Sequence, residues 1–265
     1  MRFKLITVSL ITILALSSCK SQYDMLLEGN DIDAKYKAAF GYFDSKKYAK
    51  AAEMFESLTI ATKGTAQDDT VQFYWGLSNY KYGDFSTAES NLYQFTQVFT
   101  QSPFTEQAQY LRIDCLYRNT YRYELDQTPT YKTLAVINEF MIENPNSKYI
   151  EKCKEMELDL NERLDKKAFM SAHLYYHMED YLSAHYALKN VLKENADNIY
   201  REDILYYTAM SAYKYAYLSI SEKQRERYLS FVDDYFNLIS EYPESDYKNE
   251  LDNLYKKVQK IIIKN

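Results

Sequence analysis

Glycine and proline are almost missing from this chain, with 5 and 4 copies among 265 residues. Sheets and long loops rely on both, because glycine supplies positive φ and proline presets a turn. Their scarcity predicts an all-α protein. The chain is 46% hydrophobic, ample for a packed interior. Its 29 tyrosines suit half-buried helix faces and grooves, since the ring packs while the hydroxyl stays polar. The formal charge is −6. It gives no reason to expect nucleic acid, or an anionic membrane surface, as the main partner.

A pattern recurs from Asp33 onward at a spacing of roughly 35 to 40 residues, within the range of helical repeats. One copy reads Tyr42, Tyr48, Ala51, Phe55, Leu58. The next reads Gly76, Gly83, Asp84, Phe85, Ala88, Leu92, Phe95, and a later one Ala172, Tyr175, Tyr181, Ala184, Leu188, Val191. Each has an aromatic just after a tight turn, a small residue three on, and large apolar residues beyond. The small residue lets two helices approach, and the large ones fill the seam to the next pair. The pattern resembles the tetratricopeptide repeat. It departs from it at Ala39, where glycine is common, and at Lys46, where a turn glycine is common. Two looser units run from about Pro103 to Tyr149 and from about Arg201 to Tyr247, the latter carrying an insertion over Ser219 to Tyr228. Pro103, Pro145 and Pro243 fall just after a second helix, where proline stops continuation. The expected fold is a superhelical array of about five tetratricopeptide-like hairpins.

Ahead of the repeats, Arg2 and Lys4 precede an apolar run from Leu5 to Leu16. The run is shorter than the about 20 residues of a spanning helix and reads as an export signal. Leu16-Ser17-Ser18-Cys19 resembles a bacterial lipobox. That resemblance implies cleavage before Cys19 and acylation of Cys19, and several acyl chains give stable anchoring. Lys20, rather than Asp, favours the outer membrane. The expected division is 1–18 signal peptide, 19–30 lipidated tether, 31–150 N-terminal repeats with a candidate substrate groove, and 151–265 C-terminal repeats with candidate partner docking. Cys115 and Cys153 sit in different expected helices, where buried thiols are the commoner outcome.

The lipobox, the hairpins, Asp126-Gln127-Thr128-Pro129, Pro145-Asn146-Ser147-Lys148-Tyr149 and Tyr242-Pro243-Glu244-Ser245-Asp246-Tyr247 together resemble the BamD family of outer membrane lipoproteins. The resemblance covers nearly the whole mature chain. It implies a scaffold of the β-barrel assembly machinery that docks the POTRA domains of a BamA-like barrel protein. It also implies that the N-terminal repeats receive unfolded outer-membrane proteins, and that the chain faces the periplasm. The residues alone leave open another periplasmic repeat lipoprotein, acting in envelope or cell-wall coordination, or a glycan-binding one.

In stacked hairpins the first helices line the concave face. Equivalent positions are Tyr36, Phe40 and Phe43, then Phe73, Leu77 and Tyr80, then Tyr110, Asp114 and Tyr117. Ordered aromatics make pockets for an extended peptide. Lys81 and Arg118, one residue further along, are placed to hold a terminal carboxylate. Catalytic signals are weak, and no enzyme activity, cofactor or metal is expected. His173 and His177 stand four apart, but the intervening Leu174, Tyr175 and Tyr176 lack the glutamate of a zinc protease. No arrangement of the five glycines makes a phosphate loop, and no serine stands in a nucleophile elbow. Asp68-Asp69 and Asp233-Asp234 read as helix starts or exposed faces.

Overall fold

The computed structural model describes residues 21–264. The expected signal peptide, Cys19 and the start of the tether lie outside the described residues. Within them the chain is helical, with no strand. The helices are α1 (Gln22–Glu28), α2 (Ile32–Asp44), α3 (Tyr48–Leu58), α4 (Asp68–Tyr82), α5 (Phe85–Val98), α6 (Thr105–Arg118) and α7 (Thr128–Glu143). They continue with α8 (Ile150–His177), α9 (Tyr181–Glu194), α10 (Arg201–Tyr217), α11 (Ser221–Glu241) and α12 (Lys248–Lys264). Five hairpins result, α2–α3, α4–α5, α6–α7, α8–α9 and α10–α11, followed by α12. The fold is an all-α array of tetratricopeptide-like hairpins, as expected.

The chain forms two compact units. Among the described residues, one holds 21–120 together with Pro129–Cys153, and the other holds Tyr121–Thr128 and 154–264. The segment 121–128 is tied down inside the second unit. Lys167 Nζ donates to the carbonyls of Leu125 at 2.7 Å and Tyr123 at 3.1 Å. Gln127, itself buried, donates to the carbonyls of Arg122 and Leu125.

Three hairpin turns share one backbone design. Lys46, Gly83 and Glu179 each take a positive φ, of 59°, 96° and 59°. The next residue's N–H then reaches back five residues, Lys47 to Tyr42, Asp84 to Asn79 and Asp180 to Tyr175. This loop satisfies carbonyls that the helix end leaves unpaired. Asp84 and Asp180 go on to cap α5 and α9, accepting from Thr87 and Ser183 N–H at 3.1 Å. The aromatic that follows each turn (Tyr48, Phe85, Tyr181) opens the second helix. The small residue three on (Ala51, Ala88, Ala184) is completely buried, where a larger side chain would push the helices apart.

A second recurring device was not read from the sequence. The residue immediately before a first helix is aromatic at four junctions: Phe104, Tyr149, Tyr200 and Tyr247. Each N–H is held by a side-chain oxygen two residues earlier, from Ser102, Ser147, Asn198 and Ser245. Each ring stacks on an aromatic of the preceding first helix. The pairs are Phe73–Phe104 at 4.5 Å, Tyr110–Tyr149 at 4.1 Å, Phe169–Tyr200 at 5.3 Å and Tyr206–Tyr247 at 3.9 Å, all within 18° of parallel. Each of the four clasps ties a first helix to the residue just before the first helix that follows it, through one side-chain pair worth about 1 kcal/mol beyond the buried area.

Three details differ from expectation. The segment expected as a tether contains α1, closed by a capping box between Ser21 and Asp24. Its Tyr23, Leu26 and Leu27 pack on the cluster of Ala39, Ala51, Met54, Phe55 and Leu58, because apolar residues at helical spacing find an open seam there. From Ser221 onward the stretch read as an insertion is the first turns of a 21-residue α11, after a short turn at Ser219 and Ile220. Asp234, read as a helix start or an exposed face, is buried inside α11. His185 Nε2 lies 2.7 Å and Lys189 Nζ 2.8 Å from its two oxygens, and partners on another helix leave no local signal. Cys115 and Cys153 are both buried thiols.

Candidate functional site

The candidate face belongs to the first unit, on α2, α4 and α6. On α2, Tyr36, Phe40 and Phe43 are half-buried. Tyr36 lies 5.0 Å from Phe40. Phe40 and Phe43 both pack on Tyr74, at 4.8 and 5.1 Å. Tyr74 thus closes the seam between the first two hairpins. The expected set omitted it, and its only sequence signal is that it follows Phe73 directly.

Four of the expected residues are packed within the fold. Phe73 is 2% exposed and Leu77 8% exposed, both inside the cluster around Leu92 and Phe95. They fill a seam and do not line an open face. Tyr110 lies under Tyr149, with Lys152 Nζ 5.7 Å from its ring. Asp114 is 5% exposed. A residue at i, i+4 or i+7 of a first helix meets either its own hairpin, the next hairpin or solvent. Spacing alone does not separate those faces.

Asp114 organises what remains. Tyr80 Oη donates to its Oδ2 at 2.6 Å, and Arg118 Nε donates to the same oxygen at 2.6 Å. The bond from Tyr80 crosses from the second hairpin to the third, 34 residues along the chain. Burial, and then the bond to Asp114, push the Tyr80 phenol well above its ordinary value, so it stays protonated as a donor. Arg118 was expected to await a carboxylate, and it already has one. Its guanidinium is held charged by the bond to Asp114 and lies 5.0 Å from the Phe85 ring. Half of the Arg118 side chain is still exposed, and a guanidinium carries five N–H donors. Lys81 is exposed, with Nζ 5.8 Å from the Tyr80 ring. The expected residues that keep exposure near the ends of α4 and α6 are therefore Tyr80, Lys81, Tyr117 and Arg118. Chemically this is a surface of phenol rings and two cations, suited to an extended chain with aromatic side chains and a carboxylate.

The three histidines have structural surroundings. His173 is buried against Tyr207 at 4.0 Å and His177 at 4.3 Å, and stacks on Phe169 at 5.3 Å. His185 is the partner of Asp234. Among the described residues no group of three or more His, Cys, Asp or Glu is placed to hold a metal ion.

A family model described as YfiO, outer membrane lipoprotein, matches residues 30–230. The chain belongs to this family. The match runs from the approach to α2 into α11, so it takes in the candidate face and all but the end of the fifth hairpin. YfiO proteins are the BamD-type lipoproteins with tetratricopeptide-like helices, which agrees with the fold. Membership of the YfiO family associates the chain with the outer membrane. No curated protein matches it.

Proposed function

We propose that this YfiO-family chain is a lipid-anchored periplasmic scaffold of the outer-membrane β-barrel assembly machinery, working by binding and not by catalysis. The observation that carries the proposal is the family match over residues 30–230. In this reading acyl chains on Cys19 hold the protein to the outer membrane, facing the periplasm. The N-terminal repeats receive unfolded barrel proteins, and the C-terminal repeats dock the POTRA domains of a BamA-like partner. The side chains that keep exposure at the ends of α4 and α6, Tyr80, Lys81, Tyr117 and Arg118, support the first of these contacts. A substrate chain ending in an aromatic residue carries both a ring and a terminal carboxylate, and these helix ends offer rings and cations within one unit.

Affinity purification through this protein in mild detergent tests the proposal. It should recover a POTRA-bearing barrel protein. Photo-crosslinkers in the third and fifth hairpins of intact cells should capture the same partner. Recovery of cell-wall synthesis proteins in its place would transfer the chain to envelope coordination. An aromatic-ended peptide from a barrel protein should lose affinity about tenfold with Arg118→Gln and Lys81→Gln together. Unchanged affinity would remove these cations from the site.

A further inference from the structure

In the second unit, the C-terminal end of α10, the N-terminal end of α11 and the C-terminal end of α12 meet. Gln224 Nε2 on α11 donates to the carbonyls of Tyr217 and Ser219 in the α10–α11 turn, at 3.1 and 3.0 Å. Arg225 Nε, one residue on, lies 3.4 Å from the carbonyl of Ile262 on α12. Four large apolar or aromatic side chains stand out into solvent at this end. Ile263 is 81% exposed, Ile220 67%, Leu218 66% and Tyr217 59%. The opposite side of α12 does pack: Leu251 and Val258 are completely buried, with Leu254, Tyr255, Ile261 and Ile262 against the same cluster. Ile263 is therefore not a core residue left half-covered. It lies on the solvent face of the helix.

That face is cationic. Lys256, Lys260 and Ile263 stand at i, i+4 and i+7, one above the other along α12, with Lys257 beside them, and all are exposed. The row spans about 10 Å, close to one Debye length at moderate salt, so its charges act together. At the start of α11, Lys223 and Arg225 are balanced by Glu222 and Glu226, with Lys223 engaging Glu226 at 3.3 Å, so the net positive charge comes from the α12 lysines. The chain as a whole is acidic, with a net charge of −6, so this end reverses the general sign.

We infer that this end of the second unit docks on an anionic phospholipid surface. Charge complementarity selects the occupant. Apolar side chains on a turn and a helix end, ringed by lysines, match the layered chemistry of a membrane interface, with acyl chains beneath phosphate groups. An acidic protein would satisfy the lysines, but it would need a shaped pocket for each of Leu218, Ile220 and Ile263. A bilayer accepts them without one. The contact is electrostatic and reversible, and is distinct from the acyl anchor proposed at Cys19.

Vesicle co-sedimentation tests the inference, using the mature chain with Cys19→Ala so that no acyl chain contributes. The chain should bind vesicles of phosphatidylglycerol mixed with phosphatidylcholine, and bind phosphatidylcholine alone far more weakly. Each lysine near the surface contributes about a fivefold factor in partitioning. Lys256→Gln, Lys257→Gln and Lys260→Gln combined should therefore weaken binding on the order of a hundredfold. Leu218→Ser, Ile220→Ser and Ile263→Ser combined should weaken it by about tenfold or more. All six positions are exposed, so circular dichroism should show unchanged folding. Equal binding to vesicles with and without the anionic lipid, or unchanged binding by either variant, overturns the inference. So does absence of vesicle binding, and loss of a protein partner from the lysine variant in that case would assign the surface to that protein.

Discussion

A Cβ built on Gly76 falls 2.9 Å from Cδ2 of Leu92 and 3.0 Å from its Cγ. A side chain at position 76 therefore forces Leu92 to shift. Leu92 is completely buried and packs in one cluster with Phe73, Leu77 and Phe95, so the shift disturbs that packing. Gly76→Ala gains about 1 kcal/mol of helix propensity but costs about 1–3 kcal/mol in overpacking. The clash wins, and urea denaturation should show a net loss of about 1 kcal/mol. Gly41 is also helical, and a Cβ added there would meet nothing within 4 Å. Gly41→Ala should instead stabilise, by about 0.5–1 kcal/mol.

The turns at Lys46 and Glu179 hold non-glycine residues at φ 59°. A left-handed backbone costs such a residue about 1–2 kcal/mol, and glycine loses about 0.5–1 kcal/mol more entropy on folding. Lys46→Gly and Glu179→Gly should each raise stability by about 0.5 kcal/mol. Gly83→Ala, at φ 96°, should lower it by about 1 kcal/mol. Denaturation midpoints of the three variants check the signs.

Tyr80 and Tyr206 have phenol pKa values raised by burial and then by bonds to Asp114 and Glu250, and Tyr247 has its own raised by the bond to Asp203 and then by burial. The folded chain holds these protons more tightly than the unfolded one. Stability is therefore intact below the ordinary tyrosine value of 10.0 and falls as pH rises beyond it. Thermal melts across that range should show the fall, and Tyr80→Phe should make it shallower. Asp114→Ala, which leaves the Tyr80 hydroxyl without its acceptor, should cost about 2 kcal/mol at neutral pH.

His173 has the opposite linkage. Burial, then the neighbouring His177, hold its pKa below the ordinary 6.5. Neither ring nitrogen has a hydrogen-bond partner among the described residues. The unfolded chain takes up this proton first, so stability is complete above pH about 6.5 and falls as pH drops below it. His173→Phe should keep the ring packing against Phe169 and Tyr207 and flatten the acid side of the stability curve. An unchanged slope in that variant would exclude His173 as its source.

Cys19→Ala should leave the helical spectrum intact and move the protein from the membrane to the soluble periplasmic fraction after a high-salt wash. The wash matters because it strips electrostatic contacts and leaves acyl anchoring untouched. Membrane association that survives it would contradict the anchor.

The repeat was legible because its rules are local. Turn, aromatic and small residue lie within six positions of one another, as in Gly83, Phe85 and Ala88, and those positions became a positive-φ turn, a helix start and a buried contact. The candidate face was only partly legible. Phe73 and Tyr36 look alike in the pattern, yet Phe73 lies under Phe104 while Tyr36 stays partly exposed. The ring that covers Phe73 arrives from a residue in the next hairpin, and periodicity carries no information at that range. Asp114 looked like a polar member of a groove for the same reason, because Tyr80 reaches it from another hairpin. The Ser-x-aromatic step before α6, α8 and α12 was present in the sequence and would have shown which first-helix rings are covered.

Cys115 is completely buried in the second and third hairpins' cluster, and that burial pushes its thiol up to about 12. A sulfur at that value is almost wholly protonated at neutral pH and is a poor nucleophile. In an oxidising space the native fold therefore shields the sulfur from disulfide exchange, and a nascent chain has only the interval before collapse in which to be mispaired. Alkylation of Cys115 would report each opening of these hairpins, an internal clock for how often the array breathes.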